Sequence, residues 1–383
     1  MREALILACL AAALGAQPAA HPAIGAGGCA SSNCHGGTTA LPENESRILG
    51  NEYAIWSVAD KHARAYKALV EPRGKRMAEI LKLDATRDKR CTVCHIARSP
   101  EKSQEDGVAC EACHGGAALW LGTHTREKSH AESVKAGMID TKDLAVRAKT
   151  CLACHLGTGE QQVDHEMIAA GHPDLAFELD TFSAGEPLHY REQKPAARAR
   201  AWAIGQTVGL AENMRLIASH EKTWPEFSDL ECYQCHHDLR LESWRIQRGY
   251  GGRRPGSLQI NHARVEMVRE LVAVAAPDQR SAFDAAITRL SGPAAASAVA
   301  RIADALTQRF QAQEIDRHGI VRALVANIRR IADAGVGAAE QATMALDSLG
   351  GKAGVAALYD YLEHPSTYQP SEFAAMFRKV ANE

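Results

Sequence analysis

The sequence predicts a mostly α-helical fold in two parts, long loops carrying cysteine–histidine motifs and then a C-terminal helical bundle. Three observations predict it. Cysteine pairs, each followed directly by histidine, recur through the first two-thirds of the chain. Apolar residues spaced three and four apart take over after Ser257. The alternation that marks strands is weak everywhere.

The motifs come first in the argument. Four are C-x-x-C-H: Cys91 to His95, Cys110 to His114, Cys151 to His155 and Cys232 to His236. A fifth is stretched, with four residues between Cys29 and Cys34 before His35. Together they use every cysteine except Cys9. Two thiols can add to the two vinyl groups of a haem, and the next residue is a histidine that reaches the iron from one face. A disulfide framework would not place histidine after each pair, and zinc knuckles have no need of one there. The motifs therefore predict five covalently bound haem c groups. Their cysteines are Cys29, Cys34, Cys91, Cys94, Cys110, Cys113, Cys151, Cys154, Cys232 and Cys235, and their proximal ligands are His35, His95, His114, His155 and His236.

The chain begins with Met1-Arg2-Glu3 and an apolar run from Ala4 to Ala16, which reads as a signal peptide over residues 1–20. That run is too short for a membrane span, and no other stretch approaches the required length. The expectation is an exported protein, periplasmic or extracellular, with no membrane span once the signal is removed. Lys and Arg total 44 against 46 Asp and Glu, so the charge balance offers no footprint for nucleic acid. Aromatic residues are only 5% of the chain, too few for an ordinary core of this size, and porphyrins would supply the missing apolar bulk.

The attachment sites define a pentahaem region over residues 28–254, at intervals too irregular for a repeat. Glycine and proline between Gly249 and Gly256 break the chain, and residues 257–383 form the second region. There the spacing predicts helices over His262 to Ala275, Gln279 to Leu290, Pro293 to Phe310 and Asp316 to Ala334. An antiparallel bundle accounts for them.

Bis-histidine iron would need five further histidines. His62 shares an apolar helical stripe with Ile55, Val58, Ala65 and Leu69 across residues 53–69. His124 follows a loop that a haem could order, and His172 stands at a Gly/Pro helix end. His189 lies in Pro187-Leu-His-Tyr190, and His237 follows His236 directly, so that the two side chains can serve neighbouring groups. His62, His124, His172, His189 and His237 are the candidate distal ligands. His165, seven residues before His172, is an alternative to it. His130, His220 and His262 are weaker candidates.

The residues from Cys29 to about His172 resemble the cytochrome c-554 family of tetrahaem electron carriers. The matching pieces are Trp56 to Ala65 around His62, Arg90 to His95, Gly107-Val-Ala-Cys-Glu-Ala-Cys-His-Gly115, His124 and Cys151 to His155. The resemblance implies that His62 is the distal ligand of the Cys151/Cys154 haem and His124 that of the Cys110/Cys113 haem. It assigns His172 or His165 to the first haem. It also implies an open, high-spin iron at Cys91/Cys94 and haems stacked in close pairs. The stretched first motif, the fifth haem and the helical tail depart from the family, and His189 or His237 could fill its open site.

The expected function is electron transfer between redox partner proteins through closely spaced haems. The alternative is a haem enzyme acting on a small nitrogen species, nitric oxide or hydroxylamine, at a five-coordinate iron. A scaffolding role for the helical tail is compatible with either.

Overall fold

The computed structural model describes residues 22–43, 48–126, 128–187, 195–236, 243–244, 246, 254, 256–350 and 353–382. Among them the regular structure is helical, and β pairing is confined to two isolated bridges, Thr158 with Gln161 and Leu230 with Ile260. The mostly α fold with C-terminal helices is what the sequence predicts. The signal segment, His189 and His237 lie outside the described residues, as does most of the Gly249 to Gly256 break.

Short helices carry the motif-bearing part, and side-chain caps fix where several of them start. Asp88 caps Lys89–His95 by accepting from the Arg90 N–H, and Asp143 caps Leu144–His155 through the Ala145 and Val146 N–H groups. Asp164 does the same for His165–Ala169 through the Met167 N–H. The four-residue spacing of Ala148 and Leu152 buries one face of Leu144–His155 in the core, and Cys151, Cys154 and His155 border the cavity beside it.

The expected continuous stripe over residues 53–69 is broken. Helix Glu52–Ala59 ends at Asp60, whose backbone is extended, and a 3-10 turn His62–Arg64 precedes helix Ala65–Val70. Val58 is 80% exposed, so it does not share a buried face with His62. The cause is local: the Asp60 carboxylate accepts from the His62 N–H at 2.9 Å, replacing a helical hydrogen bond.

The apolar core lies elsewhere. One continuous cluster runs from Ala148 to Val380 and centres on helix Pro195–Ser219. Trp202, Ala203, Ile204, Leu210, Met214 and Ile217 of that helix are wholly buried or nearly so. It packs along helix Pro293–Ala312 and beside helices Ala263–Ala275 and Val336–Gly350. Burying each large apolar side chain contributes about 1.5–3 kcal/mol. Two buried hydrogen bonds set the register, Thr307 to Thr207 at 2.8 Å and Gln206 to Gln341 at 3.0 Å. The predicted helices fall at Ala263–Ala275, Arg280–Thr288, Pro293–Ala312 and Arg317–Asp333. Their core is shared with a helix that precedes Ser257, so the apolar packing runs across the sequence break.

Candidate functional site

Four of the five motifs open on one cavity of about 3290 Å³. Cys29, Cys34, Cys91, Cys94, Cys110, Cys113, Cys151 and Cys154 all reach its wall, with the histidine that follows each pair. Pockets for ordinary small ligands reach about 1,000 Å³, so this one has room for several large groups. Cys232, Cys235 and His236 are not among the lining residues.

The family-like block 107–115 has a structural reason for its residues. Gly107 has φ +70°, and a Cβ there would stand 2.9 Å from the His62 carbonyl oxygen. The next N–H, of Val108, donates to that oxygen at 3.0 Å. Glu111 is buried, and its carboxylate accepts from the N–H groups of Ile24, Gly25 and Ala117 at 2.6–3.0 Å. It thereby ties the segment before Cys29 to the third motif. Cysteines from different motifs lie close together, Cys29 beside Cys110 and Cys94 beside Cys154.

Histidines from distant parts of the chain face the motif histidines. His35 and His124 stack with ring centroids 6.2 Å apart, and His62 meets His155 edge-on at 6.1 Å. His95 and His172 are 6.4 Å apart, and His165 and His236 are 6.0 Å apart. An imidazole nitrogen lies about 2.0–2.1 Å from a bound transition metal. Two rings on opposite sides of one metal therefore have centroids roughly 6 Å apart, and these four spacings fit an iron held between two imidazoles. With attachment cysteines beside each pair, the residues fit haem c. No cluster of three or more His, Cys, Asp or Glu suited to a bare metal ion occurs among the described residues.

Each pairing depends on a specific fold detail. His172 follows Gly171, whose φ of +117° ends helix His165–Ala169, and the His172 N–H returns to the Met167 carbonyl at 3.0 Å. That closure swings the ring toward His95. The fifth motif is pinned to the start of the helical region instead. Gln234 and Gln259 exchange hydrogen bonds at 2.7 and 3.0 Å, and the Asn261 N–H donates to the Asp229 carbonyl at 2.9 Å.

These pairings differ from what the resemblance implies. His124 stands against His35, in the first motif, rather than at Cys110/Cys113. His172 faces His95, of the motif expected to be open, and His165 faces His236. His62 does face His155, as the resemblance implies. His165 was only an alternative in the sequence, because a His165–His172 spacing of seven says nothing about the remote Cys232 motif.

The Nδ1 atoms of the facing rings are mostly held from behind. His95, His172 and His124 donate to the carbonyls of Ala65, Pro173 and Leu121 at 2.8, 2.8 and 2.5 Å. His35 donates to Glu52 and His62 to Asp60, each at 3.0 Å. Such bonds place the proton on Nδ1 and leave the Nε2 lone pair for a metal. The Glu52 hydrogen bond raises the His35 pKa, and the Asp60 hydrogen bond raises that of His62. Burial between Phe177 and Phe182, with His62 nearby, pushes His155 down to about 4.

His220 is a different kind of histidine. It is buried, with Nδ1 2.6 Å from Asp229 and Nε2 2.7 Å from Gln162, so both ring nitrogens are occupied by protein. His130 pairs with Asp140 at 3.0 Å. Trp244 packs on Tyr368 in the helical core.

Residues 29–115 match the family described as "Cytochrome c554 and c-prime". Cytochrome c-554 of Nitrosomonas europaea is 32% identical over 115 residues, which cover 25% of this chain and 48% of that protein. The chain thus spans about half the length of the relative it matches. The family match lies in the motif-bearing part and ends well short of the helical region. No solved structure matches the chain.

Proposed function

We propose that this chain is an exported electron-transfer protein carrying five haem c groups, exchanging electrons with redox partner proteins, with four of the irons each held between two histidines. The observation that carries this is the set of four facing histidine pairs, each joining a motif histidine to a remote one at 6.0–6.4 Å. At those four sites a second histidine would occupy the position an incoming ligand needs, which favours electron transfer over small-molecule chemistry there. The nearness of Cys29 to Cys110, and of Cys94 to Cys154, supports close spacing of the groups. The apolar run at residues 4–16 supports export, and no helix among the described residues is long and apolar enough to cross a membrane.

In this reading the haems supply reversible one-electron chemistry. The chain orients His35, His62, His95, His124 and His172 through Nδ1 hydrogen bonds and covers the His155 ring with Phe177 and Phe182. The enzyme alternative needs an open iron, and its candidate was Cys91/Cys94. His172 across from His95 weighs against it.

The test compares electron paramagnetic resonance spectra of the oxidised wild type and His172→Ala, each titrated with nitric oxide. A high-spin, nitric-oxide-sensitive signal is expected to appear with the substitution. A wild type that already shows this signal, unchanged in His172→Ala, would overturn the carrier reading in favour of the enzyme.

A further inference from the structure

We propose that Asp60 and Glu52 are positioning residues that lower the reduction potentials of the Cys151/Cys154 and Cys29/Cys34 haems, respectively. The inference rests on the haem reading above and adds what sets the potentials.

The histidine pairs differ in what stands behind them. At Cys91/Cys94 both rings donate to neutral backbone carbonyls, His95 to Ala65 and His172 to Pro173. At Cys151/Cys154 the His62 ring donates to the Asp60 carboxylate at 3.0 Å, and Glu186 brings a second carboxylate oxygen to 3.5 Å from the same nitrogen. At Cys29/Cys34 the His35 ring donates to Glu52 at 3.0 Å, while His124 uses the Leu121 carbonyl. Asp60 is 7% exposed, so solvent screens its charge little.

An anionic acceptor pulls harder on the Nδ1 proton than a carbonyl does and makes Nε2 a better electron donor. A better donor stabilises the more highly charged, oxidised iron, which lowers the potential; hydrogen bonding around the ligands is one of the protein's levers on it. Burial of His155 against Phe177 acts in the opposite direction, so the carboxylate's effect has to be read from a substitution at that carboxylate.

Asp60 does a second job, accepting from the His62 N–H. Asparagine keeps that acceptor and the side-chain shape while removing the charge, so Asp60→Asn separates the two roles. The experiment is a spectropotentiometric titration of the holoprotein followed by electron paramagnetic resonance. His62→Ala identifies the Cys151/Cys154 component as the one that loses its low-spin signal.

In Asp60→Asn that component is expected to stay low-spin and shift to higher potential while the others hold. Adding Glu186→Gln should move it further, and Asp60→Glu should return it toward the wild-type value. An unshifted potential with the low-spin signal intact overturns this inference and leaves the carrier reading standing. A His62→Ala protein with an unchanged low-spin spectrum overturns the ligand assignment and the inference with it. If Asp60→Asn fails to mature, Glu52→Gln decides: an upward shift of one other component supports the proposal, and no shift overturns it.

Discussion

The motif-bearing part and the helical part solve the same problem, filling the interior, by different means. In the helical part Phe283, Phe310, Phe373 and Phe377 are completely buried, and one apolar cluster joins its helices. The separate cluster in the motif-bearing part has only Leu69, Ala85, Cys91 and Ile96 as buried members, beside a cavity of about 3290 Å³. In the proposed reading porphyrins fill that volume. The scale shows how much rests on them: a tenth of it left dry would cost roughly 8 kcal/mol, comparable to a whole domain's stability. The contrast teaches that one part carries its core in its side chains, while the other, in that reading, acquires it by covalent attachment.

The largest expected effect comes from withholding the filler. With all ten motif cysteines replaced by alanine, amides in Ala65–Val70 and Lys89–His95 should exchange close to unfolded-chain rates. Those in Pro195–Ser219 and Arg317–Asp333 should keep protection of roughly a thousandfold or more. Equal protection in both parts, measured by hydrogen exchange and mass spectrometry, would erase the contrast.

Next in size is a cavity cut into the side-chain core. Phe310→Ala should lower the unfolding free energy of the helical part by about 3–5 kcal/mol in urea titrations. A loss below about 1 kcal/mol would mean that the helices do not share one cooperative core.

The smallest effect concerns the buried His220–Asp229 pair near the join of the two parts, and it depends on pH. The Asp229 hydrogen bond raises the folded pKa of His220 above its unfolded value of about 6.5. Its contribution to stability is therefore complete below about pH 6.5 and is lost as pH rises through the folded value. His220→Gln should cost about 1–3 kcal/mol at pH 6 and less at pH 9. Urea midpoints that differ equally at both values would show that the ring is not protonated in the folded state.

Much of this protein is local chemistry, and local chemistry is readable in a sequence. Each cysteine–histidine motif needs two cysteines and a histidine within a few residues, so all five motifs can be seen directly. Three of the predicted tail helices, Arg280–Thr288, Pro293–Ala312 and Arg317–Asp333, have one wet face and one dry face, and their spacing marks them to within a few residues. Helix Pro195–Ser219 went unseen for the opposite reason. It is covered on nearly all sides and shows no amphipathic period.

Partnership between distant residues was left to the tertiary structure. The sequence supplied more histidines than the motifs need and could not say that His124 would stand against His35, or His172 against His95. Those pairings depend on where Gly107 lets two segments close, where Gly171 ends a helix and where Glu111 gathers three N–H groups. Each motif that would attach a haem lies within five to seven consecutive residues. The histidine facing it in each of the four pairs comes from tens of residues away, so it arrives only after the chain has folded.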